Sequence, residues 1–437
     1  MKNIAIIGTG YVGLVTGAGM SEFGNKVICA DIDSDKIDKL NSGVIPIYEP
    51  GLDDIIKRNY KNNRLFFSSN VEAAILQSEV VIIAVGTPQG ENGNTDMSFV
   101  NSVVEIISKK INSYKVICTK STVPIGTGKK AISSIIKKVK DKNLFDYVSN
   151  PEFLREGSAV KDFLWPDRVV IGTNSQKAYK IMCDVYRPLY INKNPITHTS
   201  VETAEMIKYA SNSFLALKIS YINEIANLCE ALGADVHDVA TGMGQDGRIS
   251  DKFLHPGPGY GGSCFPKDLE SLLAVSKNNN LLMRTVKAAI ITNKNQKKRM
   301  VQKLVGLFGG SLIKQRIAVL GLAFKANTDD IRESSSIDMI QGIIDHGGLV
   351  RAYDPIANLN MSTIFKDIEY YDNIYDAIEG VDGVVIMTEW NEFRALDLEK
   401  IKNLMKNNII LDTRNILDMN QLSSLGFTYD NVGRFKK

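Results

Sequence analysis

The sequence is poor in the residues that build disulfide frameworks and zinc sites. Its 437 residues include only five cysteines, widely separated and without a Cys-x-x-Cys pair, and only four histidines. An odd number of scattered cysteines favours no disulfide framework, and a zinc site needs clustered cysteine or histidine ligands. We therefore expect neither structural disulfides nor a metal centre.

Excess charge of one sign and long apolar runs are also missing. The 52 basic and 49 acidic side chains leave a net charge of +3, which is too small to indicate a nucleic-acid or membrane partner. The apolar runs at 4–7 and 80–85 are far shorter than the roughly 20 residues of a membrane-spanning helix. The N-terminus leads into a strand and a glycine loop instead of a signal peptide. We expect a cytoplasmic protein, long enough for two or three domains.

The first 31 residues carry a dinucleotide-binding pattern. An apolar strand at 3–7 runs into Gly8-Thr9-Gly10-Tyr11-Val12-Gly13, and a helix and a second strand then lead to Asp31. Gly8 permits a tight turn, Gly10 lets a pyrophosphate approach the helix N-terminus, and Gly13 allows close packing of helix and strand. Asp31 would accept hydrogen bonds from the adenosine ribose and repel a 2′-phosphate. This pattern favours NAD over NADP.

Three further loops come after predicted strands of the same half. Strands at 80–85 and 115–119 end in loops that carry Thr87 and Thr122, and a strand at 147–149 leads into the charged segment 150–157. In doubly wound sheets, ligands bind beyond the carboxyl ends of the strands. The two threonines are therefore candidate cofactor contacts, with helix capping as the alternative. Segment 150–157 is a candidate ligand-binding loop, with a solvated charged turn as the alternative.

The middle of the chain predicts one long amphipathic helix. Apolar residues recur there at spacings of three and four, namely Ile207, Ala210, Phe214, Leu217, Tyr221, Ile225, Leu228 and Leu232. Lys208 and Asn212 share a second face one turn apart, where they could converge on a substrate oxygen or simply face solvent. Such a helix could bridge domains or form a dimer interface.

Cys264 stands in a glycine-rich segment directly before another predicted helix. Pro266 suits the first turn of that helix, so that Cys264 would face the positive end of the helix dipole with Lys267 nearby. Both effects favour the thiolate, which is the nucleophilic form of cysteine. The alternative is an inert, buried cysteine in a tight turn.

After about residue 300 the strand pattern of the first half recurs. Its first loop, Gly321-Leu322-Ala323-Phe324-Lys325, lacks the second and third glycines of the fingerprint, so we do not expect a second dinucleotide. Another nucleotide could bind, with Lys325 and Arg414 countering phosphate charge.

We predict an α/β protein in which a long central helix joins two Rossmann-like doubly wound domains. The expected domains are an NAD-binding domain (1–200), a central helical and dimerisation domain with the cysteine loop (201–300) and a C-terminal Rossmann-like domain (301–437).

Together, these motifs resemble the UDP-glucose/GDP-mannose dehydrogenase family along essentially the whole chain. The resemblance implies oxidation of C6 of a nucleotide-bound sugar from alcohol to carboxylate, with two NAD⁺ and no free aldehyde. It further implies that the C-terminal domain binds a UDP-sugar. Phe265 favours the UDP-glucose subgroup and UDP-glucuronate as product, which such enzymes supply for surface polysaccharide. UDP-N-acetylmannosamine and GDP-mannose remain alternative substrates. A two-electron hydroxyacid dehydrogenase would need neither Cys264 nor a second Rossmann-like domain.

The resemblance also implies roles for individual residues and a homodimer or higher homo-oligomer. The catalytic set would be Cys264 as nucleophile with Lys208, Asn212, Asp268, Thr122 and Glu152 around the reacting carbon. The cofactor site would comprise Gly8, Gly10, Tyr11, Val12, Gly13, Asp31, Lys36, Thr87, Thr122, Glu156, Lys267 and Arg332. The nucleotide-sugar site would comprise Glu152, Phe153, Leu154, Arg155, Lys208, Asn212, Arg248, Phe253, Leu254, His255, Pro256, Gly257, Gly261, Lys325 and Arg414. In the family, the arginine matching Arg248 reaches a neighbouring subunit's substrate. Ser250 replaces the family's glycine nearby, which puts that contact in doubt.

The chemistry of two successive oxidations explains why a cysteine is needed. An aldehyde loses a hydride only from a tetrahedral adduct, and Cys264 can supply that adduct as a thiohemiacetal. The second oxidation leaves a thioester for water to hydrolyse, with Asp268, Glu152 or a water between them as base. Lys208 and Asn212 would stabilise the oxyanion, a role worth about 3–4 kcal/mol per donor. No histidine lies in a motif proposed for proton transfer, so carboxylates or Lys208 must carry the protons.

Overall fold

The structure is a computed structural model that describes residues 1–90, 93–192 and 196–434. The chain divides into two compact units. The first unit comprises Met1–Ser211 and Glu270–Leu281, and the second comprises Asn212–Leu269 and the chain from Leu282 onward. None of the helices in the described ranges is both long and apolar enough to cross a membrane.

The first unit is built on an eight-stranded sheet. Its strands are β1 (Asn3–Ile7), β2 (Lys26–Ala30), β3 (Leu65–Ser68), β4 (Val80–Ile83), β5 (Lys115–Thr119), β6 (Phe145–Ser149), β7 (Val169–Gly172) and β8 (Ile196–Thr199). They lie in the order β3-β2-β1-β4-β5-β6-β7-β8. All neighbouring strands are parallel except β6 and β7. The order reverses beside β1, and this is the place where doubly wound sheets bind dinucleotides.

Eight helices of the first unit connect and cover these strands. They are α1 (Tyr11–Glu22), α2 (Ser34–Asn41), α3 (Leu52–Lys61), α4 (Val71–Gln77), α5 (Ser98–Lys110), α6 (Thr127–Ile136), α7 (Ala159–Leu164) and α8 (Gln176–Val185). At the N-terminus of several of these helices, the side chain of the capping residue accepts a backbone hydrogen bond. Asp33, Asn70 and Ser175 each accept a hydrogen bond from the backbone N–H three residues on, which satisfies a donor that the first helical turn leaves open.

A helix of 32 residues, α9 (Val201–Leu232), begins in the first unit and ends in the second. The long central helix is therefore confirmed, but much of the predicted apolar stripe is exposed: Phe214 is 61% exposed and Leu228 54%. Within the second unit, its buried side carries small and polar residues instead, and Ser220 donates a hydrogen bond to the carbonyl of Ala289 at 2.9 Å. Small side chains let a neighbouring helix approach closely, which spacing alone does not reveal.

The second unit contains the second parallel sheet. Its strands are β9 (Arg316–Leu320), β10 (Leu349–Tyr353), β11 (Glu369–Tyr370), β12 (Gly383–Ile386), β13 (Ile409–Asp412) and β14 (Thr428–Asp430), in the order β11-β10-β9-β12-β13-β14. The helices after α9 are α10 (Val236–Gly244), α11 (Phe265–Asn278), α12 (Arg284–Leu307), α13 (Ser335–Asp345), α14 (Asn358–Ser362), α15 (Ile374–Ile378), α16 (Asn391–Arg394), α17 (Leu398–Leu404) and α18 (Met419–Ser424). From Glu270 onward, α11 belongs to the first unit. The predicted α/β fold, with two doubly wound sheets and a long central helix, is confirmed.

Candidate active site

The turn between β1 and α1 explains why its glycines are needed. Gly8 has a φ of +103°, and a Cβ there would lie 2.7 Å from the carbonyl oxygen of Ala84. A Cβ on Gly13 would lie only 1.9 Å from the carbonyl oxygen of Gly8. A Cβ on Gly10 would meet nothing within 4 Å. Packing therefore requires Gly8 and Gly13, whereas Gly10 leaves open space at the start of α1, where a pyrophosphate can approach.

Asp31, at the end of β2, is held in place by Thr9. One carboxylate oxygen accepts from both the backbone N–H and the hydroxyl of Thr9, at 2.7 Å each. The other oxygen accepts from the backbone of Asp33 at 3.2 Å, and the Lys36 ammonium lies 3.8 Å from the carboxylate. Burial alone would raise the pKa of Asp31, but the hydrogen bonds from Thr9 hold it below its ordinary value. Asp31 is therefore ionised at neutral pH.

Glu49, which the sequence analysis does not single out, contacts two of the predicted site segments. Its carboxylate accepts a hydrogen bond from the hydroxyl of Tyr11, from the backbone N–H of Gly157 at 2.6 Å and from that of Ala159 at 2.7 Å. Burial, with the negative charge of Glu49 beside it, raises the pKa of Tyr11. Glu49 thus ties the glycine turn to the end of the charged loop 150–157. It stands in no recognisable motif, so the sequence offered no signal for it.

The two predicted threonines of the first unit lie together. The Thr87 hydroxyl donates to the backbone carbonyl of Thr122 at 2.9 Å. Just before Thr122, the hydroxyl of Ser121 donates to the carbonyl of Val85 at 2.6 Å. These bonds join the loops after β4 and β5 at the carboxyl edge of the sheet.

Glu152 and Lys208 form a buried ion pair, with 2.9 Å between their charged atoms and side chains only 5% and 4% exposed. The idea that Lys208 faces solvent is therefore wrong. Burial alone would raise the pKa of Glu152, but the charge and hydrogen bond of Lys208 hold it below its ordinary value. Phe153 packs beside this pair, with the Arg168 guanidinium 3.7 Å from its ring centroid. Arg155, by contrast, is exposed and paired with Asp162 at 2.6 Å.

In the second unit, Cys264 stands at the start of α11. Its carbonyl accepts the first hydrogen bond of that helix, from the N–H of Asp268 at 2.9 Å, and its Sγ lies 3.6 Å from the Ser263 hydroxyl. Cys264 is partly exposed, whereas burial raises the pKa of Cys29 and Cys118 to about 12. The alternative of a buried cysteine is therefore wrong for Cys264.

Asp268 lies one turn into α11 and connects three predicted site residues. It is 1% exposed and accepts from the Asn212 amide and from the Lys267 ammonium, each at 2.7 Å. Asn212 is itself only 6% exposed, so the solvated alternative is wrong for this residue too. The structure thus brings Asn212, Lys267 and Asp268 together.

Within the second unit, Arg414 contacts the loop that follows β9. The Arg414 guanidinium donates to the carbonyls of Met387 at 2.7 Å and Phe324 at 3.1 Å. A Cβ on Gly257 would lie 3.6 Å from the same guanidinium. The Lys325 ammonium lies 5.3 Å from the ring centroid of Phe324. Two predicted phosphate-binding cations and part of the glycine-rich loop therefore adjoin one another.

The other predicted residues range from buried to fully exposed. The Arg248 and Arg332 side chains are 90% and 63% exposed and pair with Asp246 and Asp330. Ser250 adopts a φ of +65°, a conformation that glycine reaches without strain. Of the remaining candidates, Leu254 and Pro256 are buried, Val12, Leu154, Glu156, Phe253 and Gly261 are half-buried, and His255 is exposed.

Comparison with known proteins places this geometry in a family. Three models of the UDP-glucose/GDP-mannose dehydrogenase family match the chain, for the NAD binding domain at 2–190, the central domain at 202–295 and the UDP binding domain at 318–419. The UDP-glucose 6-dehydrogenase TuaD of Bacillus subtilis (strain 168) is 47% identical over 435 residues, covering 99% of this chain and 94% of the relative. The chain belongs to the UDP-glucose/GDP-mannose dehydrogenase family. Its membership confirms an NAD-dependent dehydrogenase and supports binding of a UDP-sugar.

Further relatives agree over the full length. The UDP-glucose 6-dehydrogenase of Rhizobium meliloti (strain 1021) is 45% identical, covering 99% of each chain. The solved UDP-glucose dehydrogenase of Pyrobaculum islandicum has a TM-score of 0.92 at 33% identity, covering 99% of this chain and 98% of that one. The UDP-D-ManNAc dehydrogenase of Pyrococcus horikoshii has a TM-score of 0.87 at 29% identity, covering 99% of each chain.

Proposed function

We propose that this dehydrogenase oxidises UDP-glucose to UDP-glucuronate in two steps, through a thiohemiacetal and a thioester on Cys264. The observation that carries the substrate is the identity of 47% and 45%, over 99% of the chain, to two UDP-glucose 6-dehydrogenases. Identity to the UDP-D-ManNAc dehydrogenase is only 29%. UDP-N-acetylmannosamine and GDP-mannose are the alternative substrates.

The two ligands are assigned to different parts of the chain. The first 200 residues would bind NAD through the open start of α1 at Gly10 and the ionised Asp31. The segment from 301 onward would bind the nucleotide, with Lys325 and Arg414 opposite its phosphates. Residues 201–300 would form the central domain and supply Cys264. NAD accepts a hydride in each of the two oxidations.

Cys264 explains how the second oxidation becomes possible. In the first, C6 of the sugar loses a hydride and its hydroxyl loses a proton, which gives an aldehyde. The Cys264 thiolate then forms a C–S bond to that carbon while the C=O π electrons move to the oxygen, which takes up a proton to give the thiohemiacetal. This adduct loses its hydroxyl proton and a second hydride to give a thioester. Water breaks the C–S bond, so the acid is released and the sulfur is regenerated. The partly exposed position at a helix N-terminus supports this role, because the helix dipole favours the thiolate.

The buried polar pairs supply the remaining proton and charge chemistry. Glu152 is ionised beside Lys208 and can accept a proton from the substrate hydroxyl or the hydrolytic water. The Lys208 ammonium and the Asn212 amide are the donors that would stabilise the oxyanion of each tetrahedral stage. Asp268, bound to Asn212 and Lys267, is the second carboxylate available as a base.

The test is the yield of NADH per sugar across UDP-glucose, UDP-N-acetylmannosamine and GDP-mannose. We expect two NADH per UDP-glucose, acid as the only product, and a kcat/KM for UDP-glucose at least tenfold above the others. One NADH per sugar, or a preference for another sugar, would contradict the assignment.

Cys264→Ser is the matched variant for the mechanism. A serine ester hydrolyses more slowly than a thioester and a hydroxyl is a weaker nucleophile, so acid formation should fall by about three orders of magnitude or more. Binding of NAD and UDP-glucose, measured by calorimetry, should stay within about threefold, because neither step uses the sulfur. Acid formation within tenfold of wild type would exclude covalent catalysis at this position.

We also propose a homodimer formed through the outer face of α9. Phe214, Tyr221 and Leu228 lie at spacings of seven along that face and are 61%, 48% and 54% exposed. Covering large apolar side chains of this kind favours association with a second copy. Light scattering at micromolar concentration should show a dimer, and a monomer would contradict this assignment. A cytoplasmic location stays a prediction.

A further inference from the structure

The glycine-rich loop before Cys264 has no regular secondary structure of its own. Residues 257–262 lie between strands and helices, and Gly259 and Gly262 have φ values of +110° and +81°. All but one of these six residues are buried. Buried backbone N–H and C=O groups need hydrogen-bond partners. This loop must therefore obtain them from other parts of the second unit.

Side chains from two helices form hydrogen bonds with the backbone of Gly257. Its backbone N–H donates to the side-chain oxygen of Asn223, on α9, at 2.8 Å. Its carbonyl accepts from the side-chain amide of Gln296, on α12, at 2.9 Å. Both backbone groups of one residue are thus bound by amide side chains that are at most 1% exposed.

A single side chain forms hydrogen bonds with both backbone polar groups of Tyr260. Its backbone N–H donates to the Asn293 oxygen at 2.7 Å, and its carbonyl accepts from the Asn293 nitrogen at 2.9 Å. A side-chain amide carries the donor and acceptor of a peptide group, so Asn293 pairs with Tyr260 as a neighbouring strand would. A Cβ on Gly259 would lie 2.8 Å from the same Asn293 oxygen, so this close approach also requires a glycine.

The orientation of Gln296 is fixed by another amide. The Asn227 nitrogen donates to the Gln296 oxygen at 3.0 Å, which leaves the Gln296 nitrogen to face Gly257. Beyond Tyr260, the N–H of Gly262 donates to the carbonyl of Arg332 at 2.8 Å. Few backbone torsions between these anchors and Cys264 are therefore free.

We propose that Asn223, Asn293 and Gln296, here called the amide clasp, are positioning residues that set the placement of Cys264 by fixing residues 257–260. No hydrogen bond in the described structure joins the clasp amides to Cys264, so they would act only through the loop. The proposal rests on the proposed role of Cys264 as the nucleophile. It predicts that loosening the clasp changes the chemistry at the sulfur more than it changes NAD binding.

Asn293→Ala is the decisive variant, because it removes both bonds to Tyr260. We expect kcat for the nucleotide sugar to fall at least tenfold, while the Kd for NAD stays within twofold. The rate at which iodoacetamide alkylates Cys264, read from the mass of its peptide, should change at least threefold. Should the alanine variant not fold, Asn293→Asp keeps the volume and the acceptor for the Tyr260 N–H but loses the donor, and the same changes are expected.

Asn59→Ala is the matched control. Asn59 is 0% exposed, and its side chain bonds to Glu22, Ile55 and Arg64 in the first unit. The control should lower Tm without changing kcat or alkylation of Cys264. Two results would overturn the proposed role of the amide clasp. One is that the Asn293 variants stay within twofold of wild type in kcat and in the rate of Cys264 alkylation. The other is that Asn59→Ala, at an equal loss of Tm, changes kcat and the alkylation rate as much as the Asn293 variants do. Alkylation needs no turnover, so it decides the clasp even if the proposed oxidation fails.

Discussion

The two parallel sheets begin with nearly the same turn. In the first, Gly8 has a φ of +103° and donates to the carbonyl of Ala30 at 2.8 Å. In the second, Gly321 has a φ of +91° and donates to the carbonyl of Tyr353 at 2.8 Å. In each sheet, an aspartate follows the second strand. Its carboxylate accepts a hydrogen bond at 2.7 Å from the backbone N–H of the residue that comes directly after the glycine.

The two sheets differ in the path of the chain after this turn. In the first, α1 begins at Tyr11, directly after Gly10. In the second, the N–H of Phe324 donates to the carbonyl of Asp330 at 3.0 Å, and α13 begins only at Ser335. Only the first turn therefore ends on a helix N-terminus, where an anion is stabilised.

The aspartates differ as well. Asp31 is half-buried and accepts from Thr9 and Asp33. Asp354 is 2% exposed and accepts from five N–H groups, those of Leu322, Ala323, Ile356 and Ala357 and the indole of Trp390. The comparison teaches that the first glycine and the aspartate serve the turn itself. We propose that dinucleotide binding depends on the helix start beside the first turn and on the more exposed carboxylate of Asp31.

Asp354→Ala should have the largest effect on stability. Five N–H groups would lose their acceptor, four of them in buried hydrogen bonds. Each unsatisfied buried group costs about 1–3 kcal/mol, so the second unit should lose at least about 3 kcal/mol. Thermal unfolding would measure this loss. NAD affinity of the folded protein, measured by calorimetry, should stay within twofold. A stable variant with weakened NAD binding would reverse the roles assigned to the two aspartates.

Asp31→Ala should have a smaller effect, confined to NAD. Losing a charged acceptor for the ribose costs about 1.5–3 kcal/mol, so NAD affinity should fall at least tenfold while nucleotide-sugar affinity stays within twofold. Because the pKa of Asp31 lies below its ordinary value of 3.8, its charge is lost only in strong acid. The loss of affinity should therefore be the same at pH 6 and pH 8. Unchanged affinity for NAD would remove Asp31 from the site.

The sequence predicted the fold well where a buried apolar run ends in a turn. The strands at 3–7 and 115–119 were predicted residue for residue, because a glycine or a charged residue directly follows each apolar run. The predicted strand 80–85 ends at Ile83 in the structure. Apolar side chains continue there, but the chain has already left the sheet for the loop of Thr87.

The sequence did not predict the single buried polar side chains that bind backbone groups near the candidate site. Glu49, Asn223 and Gln296 stand in no motif and would normally be assigned to the surface, yet each is at most 5% exposed. Only the tertiary fold brings them to the backbone groups they bind. The same holds for α9, where close packing buries Ser220 and leaves Phe214 exposed.

We propose that only the first of the two similar turns binds a dinucleotide. Titration of NAD into the wild-type chain by calorimetry, with and without saturating UDP, tests this assignment directly. We expect one NAD per chain in both conditions, with affinity lowered by Asp31→Ala. Two NAD per chain, or a single NAD site that UDP abolishes, would contradict it.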